Sequence, residues 1–511
     1  MKLDFYCREE YCPMHYYEAM QVFAHALGMP ELHPGSADVI DREVPSPDSL
    51  LTVTEEDGSV RKYPFFIDDA RKSAYGEDRV IDLHRDLSND RNLLKRYLYK
   101  ILSGIYGRGS PWGVLTGVRP VKVLHNLIRY GLSEEDALSH FRDFFFVTDK
   151  KSALCLETLK NQFRFIGGDE PGCSFYVSIP FCPTICSYCT FGSSPIGRYS
   201  SRIDSYIDLL EKEIDFTAPL IAANVTEIYI GGGTPTSISA KQLERLLEIL
   251  KRNFNISGLS EFCVEAGRPD TVDAEKLGVL KKYGVTRISI NPQTMNDKTL
   301  AAIGRRHTSE QTVDAFGLAR QAGFDNINMD VIAGLPGETA TDFKRTMKEI
   351  RKLDPDGLTV HTLALKRASS LSRDEDMKKV VAVDETESMC DFGAATCASM
   401  GMKPFYLYRQ KNCVGNNENV SYCKPGRESP YNIHIMEEDR TVFACGAGAV
   451  TKVVKNGGSV IERFFNTKSV DEYLVIGDEI IRRKRAALEL FLGSGEKNDD
   501  VNGPHFVDTL S

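Results

Sequence analysis

From about residue 171 to residue 365 the chain alternates short β-branched runs with longer amphipathic stretches, and this alternation restricts the fold more than any other feature. Parallel strands cannot be joined by a tight turn, so each pair needs a crossover of a dozen or more residues, usually a helix. The runs at 175–179, 227–230, 261–265, 287–291, 326–332 and 357–362 read as strands. The segments at 205–216, 240–253, 274–283, 309–322 and 341–353 read as the helices between them. Six βα units in series make an open or partial barrel, because the closed form needs eight.

A chain of 511 residues is too long for one compact core. Residues 1–170 read as a separate N-terminal α+β domain, with strand-like stretches at 49–54 and 62–67 and helices at 92–106, 120–130 and 133–144. The partial barrel is expected over 171–370 and a C-terminal α+β extension over 371–490. The extension opens with the charged stretch Ser372-Arg-Asp-Glu-Asp-Met-Lys-Lys379, continues as a helix to about Met400, and carries strand-like pieces at 404–408, 431–436 and 441–444. The tail at 491–511 is expected to be disordered.

Hydrophobic content of 42% and charged content of 26% are those of a globular protein in water. The net charge of -9 leaves no domain-wide basic excess to neutralise phosphates, which excludes general nucleic-acid binding and requires any anionic substrate to meet a local basic patch. No stretch approaches the ~18 apolar residues of a membrane-spanning helix, and the N-terminus lacks the apolar core of a secretory signal. Thirteen cysteines, odd in number and irregularly placed, do not form a secreted disulfide framework, so a reducing cytoplasm is the expected compartment.

Directly after the first strand comes Tyr176-Val-Ser-Ile-Pro-Phe-Cys-Pro-Thr-Ile-Cys-Ser-Tyr-Cys-Thr-Phe191, where Cys182, Cys186 and Cys189 have the spacing C-x-x-x-C-x-x-C. Three thiolates on a tight loop can hold three irons of a cubane iron-sulfur cluster and leave the fourth open to a small molecule. Short cysteine spacings also make structural zinc sites, but those close with a second ligand pair, and the other cysteines here are scattered singly. Tyr188 supplies a flat face beside the loop. Cys413, Cys423 and Cys445 are too irregularly separated to suggest more than buried small hydrophobes.

Other unusual residues fall at the carboxyl ends of the expected strands, where barrels of this kind place their chemistry. Strand two is followed by Gly231-Gly-Gly-Thr-Pro235, whose bare backbone admits close approach of a ligand. Strand three ends at Glu265 in Glu-Ala-Gly-Arg-Pro-Asp, strand four leads to Gln293, and Arg305 follows in Gly304-Arg-Arg-His307. Strand five carries Asp330 inside an apolar run. Together they describe a pocket for a molecule bearing an amine, a carboxylate and a ribose.

On these residues the chain resembles the radical S-adenosylmethionine (SAM) superfamily, and within it the oxygen-independent coproporphyrinogen III oxidases. The flanking motifs Trp112-Gly-Val-Leu-Thr-Gly-Val-Arg-Pro-Val-Lys122, Tyr408-Arg-Gln-Lys-Asn412, Tyr431-Asn-Ile-His-Ile-Met-Glu437 and Cys445-Gly-Ala-Gly-Ala449 resemble the coproporphyrinogen dehydrogenase subgroup of Gram-positive bacteria. The resemblance implies a partial (β/α)6 radical SAM barrel in which Cys182, Cys186 and Cys189 bind a 4Fe-4S cluster whose open iron chelates SAM. It implies SAM contacts from Tyr176, Tyr188, Gly232, Gly233, Thr234, Glu265, Gln293, Arg305, Asp330 and Ala333. The implied reaction is oxidative decarboxylation of coproporphyrinogen III to protoporphyrinogen IX, with a one-electron donor such as flavodoxin or ferredoxin.

Arg198, Arg409 and Lys411 are the candidates for meeting the substrate's carboxylates. Two departures from the family pattern stand out: Phe191 where a further cysteine is usual, and Ser178 where a histidine is usual. Relatives with phenylalanine there include haem chaperones and enzymes that open the haem ring, so haem trafficking is the alternative reading. His307, His361 and His434 are then the conceivable axial ligands.

Overall fold

The computed structural model describes residues 2–7, 32–34, 49–54, 57–65, 90–107, 109–117, 119–166, 172–366, 369–373, 383–410, 413–455, 458 and 460–493. The chain divides into two compact units, one formed by Met1–Glu157 with Tyr408–Glu418 and the other by Thr158–Leu407 with Asn419–Ser511.

The first unit opens with β1 (Lys2–Cys7), β2 (Leu32–Pro34), β3 (Ser49–Thr54) and β4 (Val60–Phe65), in the sheet order β2-β1-β3-β4. Helices α1 (Asp90–Tyr106), α2 (Pro120–Arg129) and α3 (Glu134–Asp143) follow, and α4 (Asp149–Gln162) begins in this unit and ends in the other. Proline begins α2, where the missing N–H costs nothing, and the Ser133 hydroxyl caps α3 by accepting from the Asp136 amide. Trp112 is fully buried; its Nε1 donates to Glu418 Oε2 at 2.8 Å, and Lys151 Nζ lies 2.6 Å from Glu418 Oε1. The Arg409 guanidinium stacks 5.1 Å from the Trp112 ring centre.

The second unit contains β5 (Cys173–Ile179), the two-residue strands β6 (Phe181–Cys182) and β7 (Ser194–Pro195), and α5 (Ile203–Thr217). Next come β8 (Val225–Gly232), α6 (Ala240–Asn253), β9 (Glu261–Glu265), α7 (Ala274–Lys282), β10 (Arg287–Ser289), α8 (Asp297–Ala302) and α9 (Ser309–Gln321). The unit's barrel is completed by β11 (Ile327–Ala333), α10 (Ala340–Leu353) and β12 (Gly357–Thr362). Three of these helices start where a side chain replaces the missing intrahelical acceptor: Ser239 with Gln242, Thr308 with Gln311 and Thr339 with Asp342 form reciprocal caps on α6, α9 and α10. Strands β5, β8, β9, β10, β11 and β12 pair in chain order and all parallel, which is the six-stranded partial barrel the sequence predicts.

The C-terminal elements are α11 (Val383–Ser399), β13 (Lys403–Tyr408), β14 (Asn419–Cys423), α12 (Pro430–Glu437), β15 (Thr441–Cys445), β16 (Val450–Lys455), β17 (Val460–Phe465), α13 (Val470–Val475) and α14 (Gly477–Leu492). Their strands extend the barrel sheet at both edges, in the order β13-β14-β12-β11-β10-β9-β8-β5-β15-β16-β17. Strand β15, expected as a strand at 441–444, pairs parallel with β5 and so adds a seventh parallel strand, a pairing that the sequence pattern does not announce. The stretch 431–436, expected as a strand, is helix α12: Pro430 starts it, Ser429 caps it through the Asn432 amide, and Tyr431, Ile433, His434 and Glu437 are buried at helical rather than alternating spacing. Residues 494–511 lie outside the described set, while α14 continues to Leu492.

Glu418→Ala removes an acceptor from the buried Lys151 ammonium and from the Trp112 N–H. It is expected to lower the unfolding free energy by about 3–5 kcal/mol, read from urea midpoints, with the double change Lys151→Met/Glu418→Leu regaining most of it.

Candidate metal centre and strand-end site

The chain leaves β5 through Pro180, and β6 pairs with β7 so that residues 183–193 form a loop tied at its base. Cys182, Cys186 and Cys189 sit on this tied segment as free thiols, Cys186 buried and the other two half-buried. The Cys189 amide donates to Cys186 O at 3.1 Å, folding the last two cysteines into one turn. The loop is braced from several sides. Ser187 N donates to Ile303 O, the Thr184 hydroxyl donates to Gly304 O, and Leu371 N donates to Ser187 O. Arg268 reaches in from beyond β9, its Nη1 donating to Thr184 O and Thr184 Oγ1 and standing 3.9 Å from Cys186 Sγ. Burial raises the Cys182 and Cys189 thiols above their ordinary range, so a metal held here has to displace their protons. Among the described residues no three His, Cys, Asp or Glu side chains are gathered around a single-ion position.

The glycine run closes against this loop. Gly233 N donates to Ile179 O and Thr234 N to Phe181 O, while the Thr234 hydroxyl lies 3.4 Å from Cys182 Sγ. A Cβ at Gly233 would stand 2.6 Å from Phe181 O and 2.8 Å from Phe181 N, and Gly232 adopts φ 103°, so both positions require glycine. A Cβ at Gly231 would press on the Glu265 carboxylate at 3.1 Å.

Glu265, at the end of β9, accepts from the Tyr229 hydroxyl at 2.6 Å. Burial pushes its carboxyl up to about 7, against the lowering effect of Tyr229 and with help from Asp330. Tyr229 stacks on Tyr431 of α12 with ring centres 4.4 Å apart, and Tyr176 stacks on both at 6.2 Å, forming an aromatic layer inside the barrel. Asp330 on β11 accepts from Asn328 Nδ2 at 2.8 Å, and His361 Nε2 of β12 stands 3.6 Å from its other oxygen; these contacts outweigh burial and hold its carboxyl below the usual range. Two carboxylates, one ending β9 and one within β11 on the far side of β10, thus differ in charge near neutrality.

Gln293 has φ 66°, the left-handed region that a glutamine seldom adopts, and its Oε1 is buried without a partner. Ser289 Oγ, Asn291 Oδ1 and Arg305 Nε are also buried and unpartnered. Arg305 Nη1 donates to Asn291 O at 2.5 Å and to Gly267 O at 3.3 Å; burial opposes its charge, but Tyr188 and Cys186 beside it hold that charge in place. Ala333 ends β11, fully buried beside Gly334 at φ 83°.

The expected substrate cations fare differently. Arg409 is only 3% exposed, in the first unit, where its guanidinium binds Leu115 O and Asn416 and stacks on Trp112; burial pushes it down to about 10. It is a structural cation, which corrects its placement at a substrate mouth. Arg198 is exposed and 3.4 Å from Asp471, and Lys411 lies outside the described residues. His434 is buried and 2.9 Å from Asp439, and His307 is buried near Asp270, with burial and then the Arg305 charge pushing it down to about 4. Cys423 and Cys445 sit on β14 and β15 at opposite sides of the barrel strands, each buried. Tyr229 was not singled out from the sequence; Tyr431, Arg268 and Asp270 stood in quoted motifs without a signal of their partners, and His361, considered as an axial ligand, instead pairs with Asp330.

The family model of the radical SAM superfamily matches residues 176–350. The chain is 42% identical over 392 residues to the oxygen-independent coproporphyrinogen-III oxidase-like protein HemZ of Bacillus subtilis, covering 75% of this chain and 78% of that one. It is 34% identical over 278 residues to the heme chaperone HemW of Bacillus subtilis, covering 54% and 70%. Among solved structures, coproporphyrinogen III oxidase HemN from Escherichia coli, a radical SAM enzyme, matches with a TM-score of 0.49 at 24% identity over 63% of this chain and 72% of that one.

Gly233→Ala drives a methyl into the Phe181 backbone, and overpacking of this kind costs about 1–3 kcal/mol. The expected outcome is a lower melting temperature together with weaker iron retention, since β6 carries Cys182; both are read on one anaerobic preparation by calorimetry and iron assay.

Proposed function

This chain belongs to the radical SAM superfamily, in its oxygen-independent coproporphyrinogen III oxidase-like family, and on that premise we propose that it decarboxylates coproporphyrinogen III oxidatively to protoporphyrinogen IX. Members of this superfamily use a 4Fe-4S cluster and SAM. The observation that carries the reading is a loop of three free thiols, set beside strand ends whose buried polar atoms lack partners.

The residues fit that pair of cofactors. Cys182, Cys186 and Cys189 hold the cluster as thiolates. Arg305, with Nε free, suits a carboxylate; Glu265 suits an amine; Gln293 Oε1 and the ionised Asp330 suit ribose hydroxyls. Gly232, Gly233, Thr234 and Ala333 offer backbone at close range, with Tyr176 and Tyr188 as flat walls. When bound, the reduced cluster supplies the electron that splits the C5′–S bond of SAM, and the fragment released removes a hydrogen atom from substrate. Each propionate then loses one hydrogen atom, one CO2 and one electron to become a vinyl group, and the electron requires an external acceptor. Arg198, exposed and loosely held by Asp471, is the described cation proposed for a substrate carboxylate.

A second reading, haem trafficking, draws support from the HemW similarity and from Phe191, 76% exposed two residues after Cys189 and suited to stack on a flat macrocycle. Anaerobically reconstituted protein given reductant, SAM and coproporphyrinogen III is expected to release two CO2 in steps, with 5′-deoxyadenosine. Haem binding with SAM left intact would transfer the assignment to the chaperone reading.

SAM affinity is expected to depend on Glu265. The amine needs the ionised carboxylate, and a raised pKa means that this charge is lost as pH falls through about 7. Equilibrium dialysis should show full affinity above pH 8 and, below pH 7, a weakening of about tenfold per unit; a profile unchanged in Glu265→Gln would remove this contact.

A further inference from the structure

We propose that Arg268 and Asp270 form a fixed charge pair that sets the reduction potential of the cluster through Cys186. The inference rests on the reading above, in which Cys182, Cys186 and Cys189 carry that cluster.

Arg268 is 2% exposed and uses its planar fork in two directions. Nε and Nη2 donate to Asp270 Oδ1 and Oδ2, each at 3.0 Å, while Nη1 donates to both Thr184 oxygens and points at Cys186 Sγ from 3.9 Å. The two residues flank Pro269, and Asp270 lies in the short helical turn Pro269–Thr271, so the spacing of cation and anion is set by the backbone. Cys186 is the most buried of the three thiols.

Hydrogen bonds and positive charge at a ligating sulfur stabilise the reduced cluster, which carries the extra electron, and so raise its potential. A cation held in a dry site acts strongly, because little water screens it. Cleavage of a sulfonium needs a strongly reducing cluster, so an uncompensated guanidinium here would oppose the reaction. Asp270 offsets part of that charge, and its Oδ1 also faces His307 Nδ1 at 4.0 Å. Arg305, the other buried guanidinium near Cys186, donates to the carbonyls of Asn291 and Gly267 and lies beside Tyr188. The pair beside Cys186 therefore contains both the charge that raises the potential and the charge that lowers it.

The test is a redox titration of the cluster in the anaerobically reconstituted full chain, followed by absorbance and electron paramagnetic resonance, with iron content measured on each sample. Arg268→Gln should move the midpoint to a more negative value and Asp270→Asn to a less negative one. The double variant should fall between them, and Arg268→Lys should shift less than Arg268→Gln. A role limited to holding the loop would lower iron occupancy without opposed shifts. Equal midpoints in all variants, or single variants shifted in the same direction, overturn the proposal. Should Arg268→Gln retain no iron, Asp270→Asn decides alone, and a midpoint unchanged or more negative overturns it. Wild-type protein that binds no four-iron cluster would instead sink the reading on which this one rests.

Discussion

The parallel pairing of β5 with β8, carried to the last residue of each strand, is the contact from which the site derives. Its register sets Ser178 opposite Gly231 and Ile179 opposite Gly232, so the cysteine loop departs where the glycine run departs. The two loops then bond through Gly233 and Thr234, at a separation no larger residue than glycine permits at 233. Positioning of three thiols thus follows from strand geometry, with the loop itself contributing only the turn between Cys186 and Cys189.

The barrel interior is polar for much of its length. Toward the amino ends of the strands, Glu227 meets Arg440 at 2.9 Å, and Glu261 Oε2 accepts from the Ser429 hydroxyl and the Tyr431 amide. Toward the carboxyl ends, Gln293 Oε1, Asn291 Oδ1 and Arg305 Nε are left without partners, and toward the amino ends Glu261 Oε1 and Asn328 Oδ1 are as well. A protein tolerates orphaned buried atoms where something else supplies the missing bond. Between the ends lies the layer of Tyr176, Tyr229 and Tyr431, apolar on its faces.

The barrel and the metal loop were legible in the sequence because both depend on local pattern: six apolar runs at crossover spacing, and three cysteines within eight residues. The places of Glu265 at the end of a strand, Gln293 just beyond one and Asp330 inside an apolar run were legible for the same reason. What escaped depends on contacts between distant segments. The stretch 431–436 alternates like a strand, but the proline and the capping serine before it start a helix. Arg409 looked available because a charged residue is usually solvated, and its aromatic and carbonyl partners come from residues 112 and 115, nearly three hundred positions away. The bond between Arg268 and the cysteine loop likewise spans more than eighty residues and has no periodic signature.

The insertion of Tyr431 beneath the strand ends bears on how such a protein can be divided. Helix α12 lends the barrel an aromatic ring, and its first turn occupies a carboxylate of β9, so a fragment trimmed to the six parallel strands would expose Glu261 and open the floor under Glu265. The chemistry-bearing half and the segment after it are therefore one folding module, and shuffling either onto another scaffold would break both.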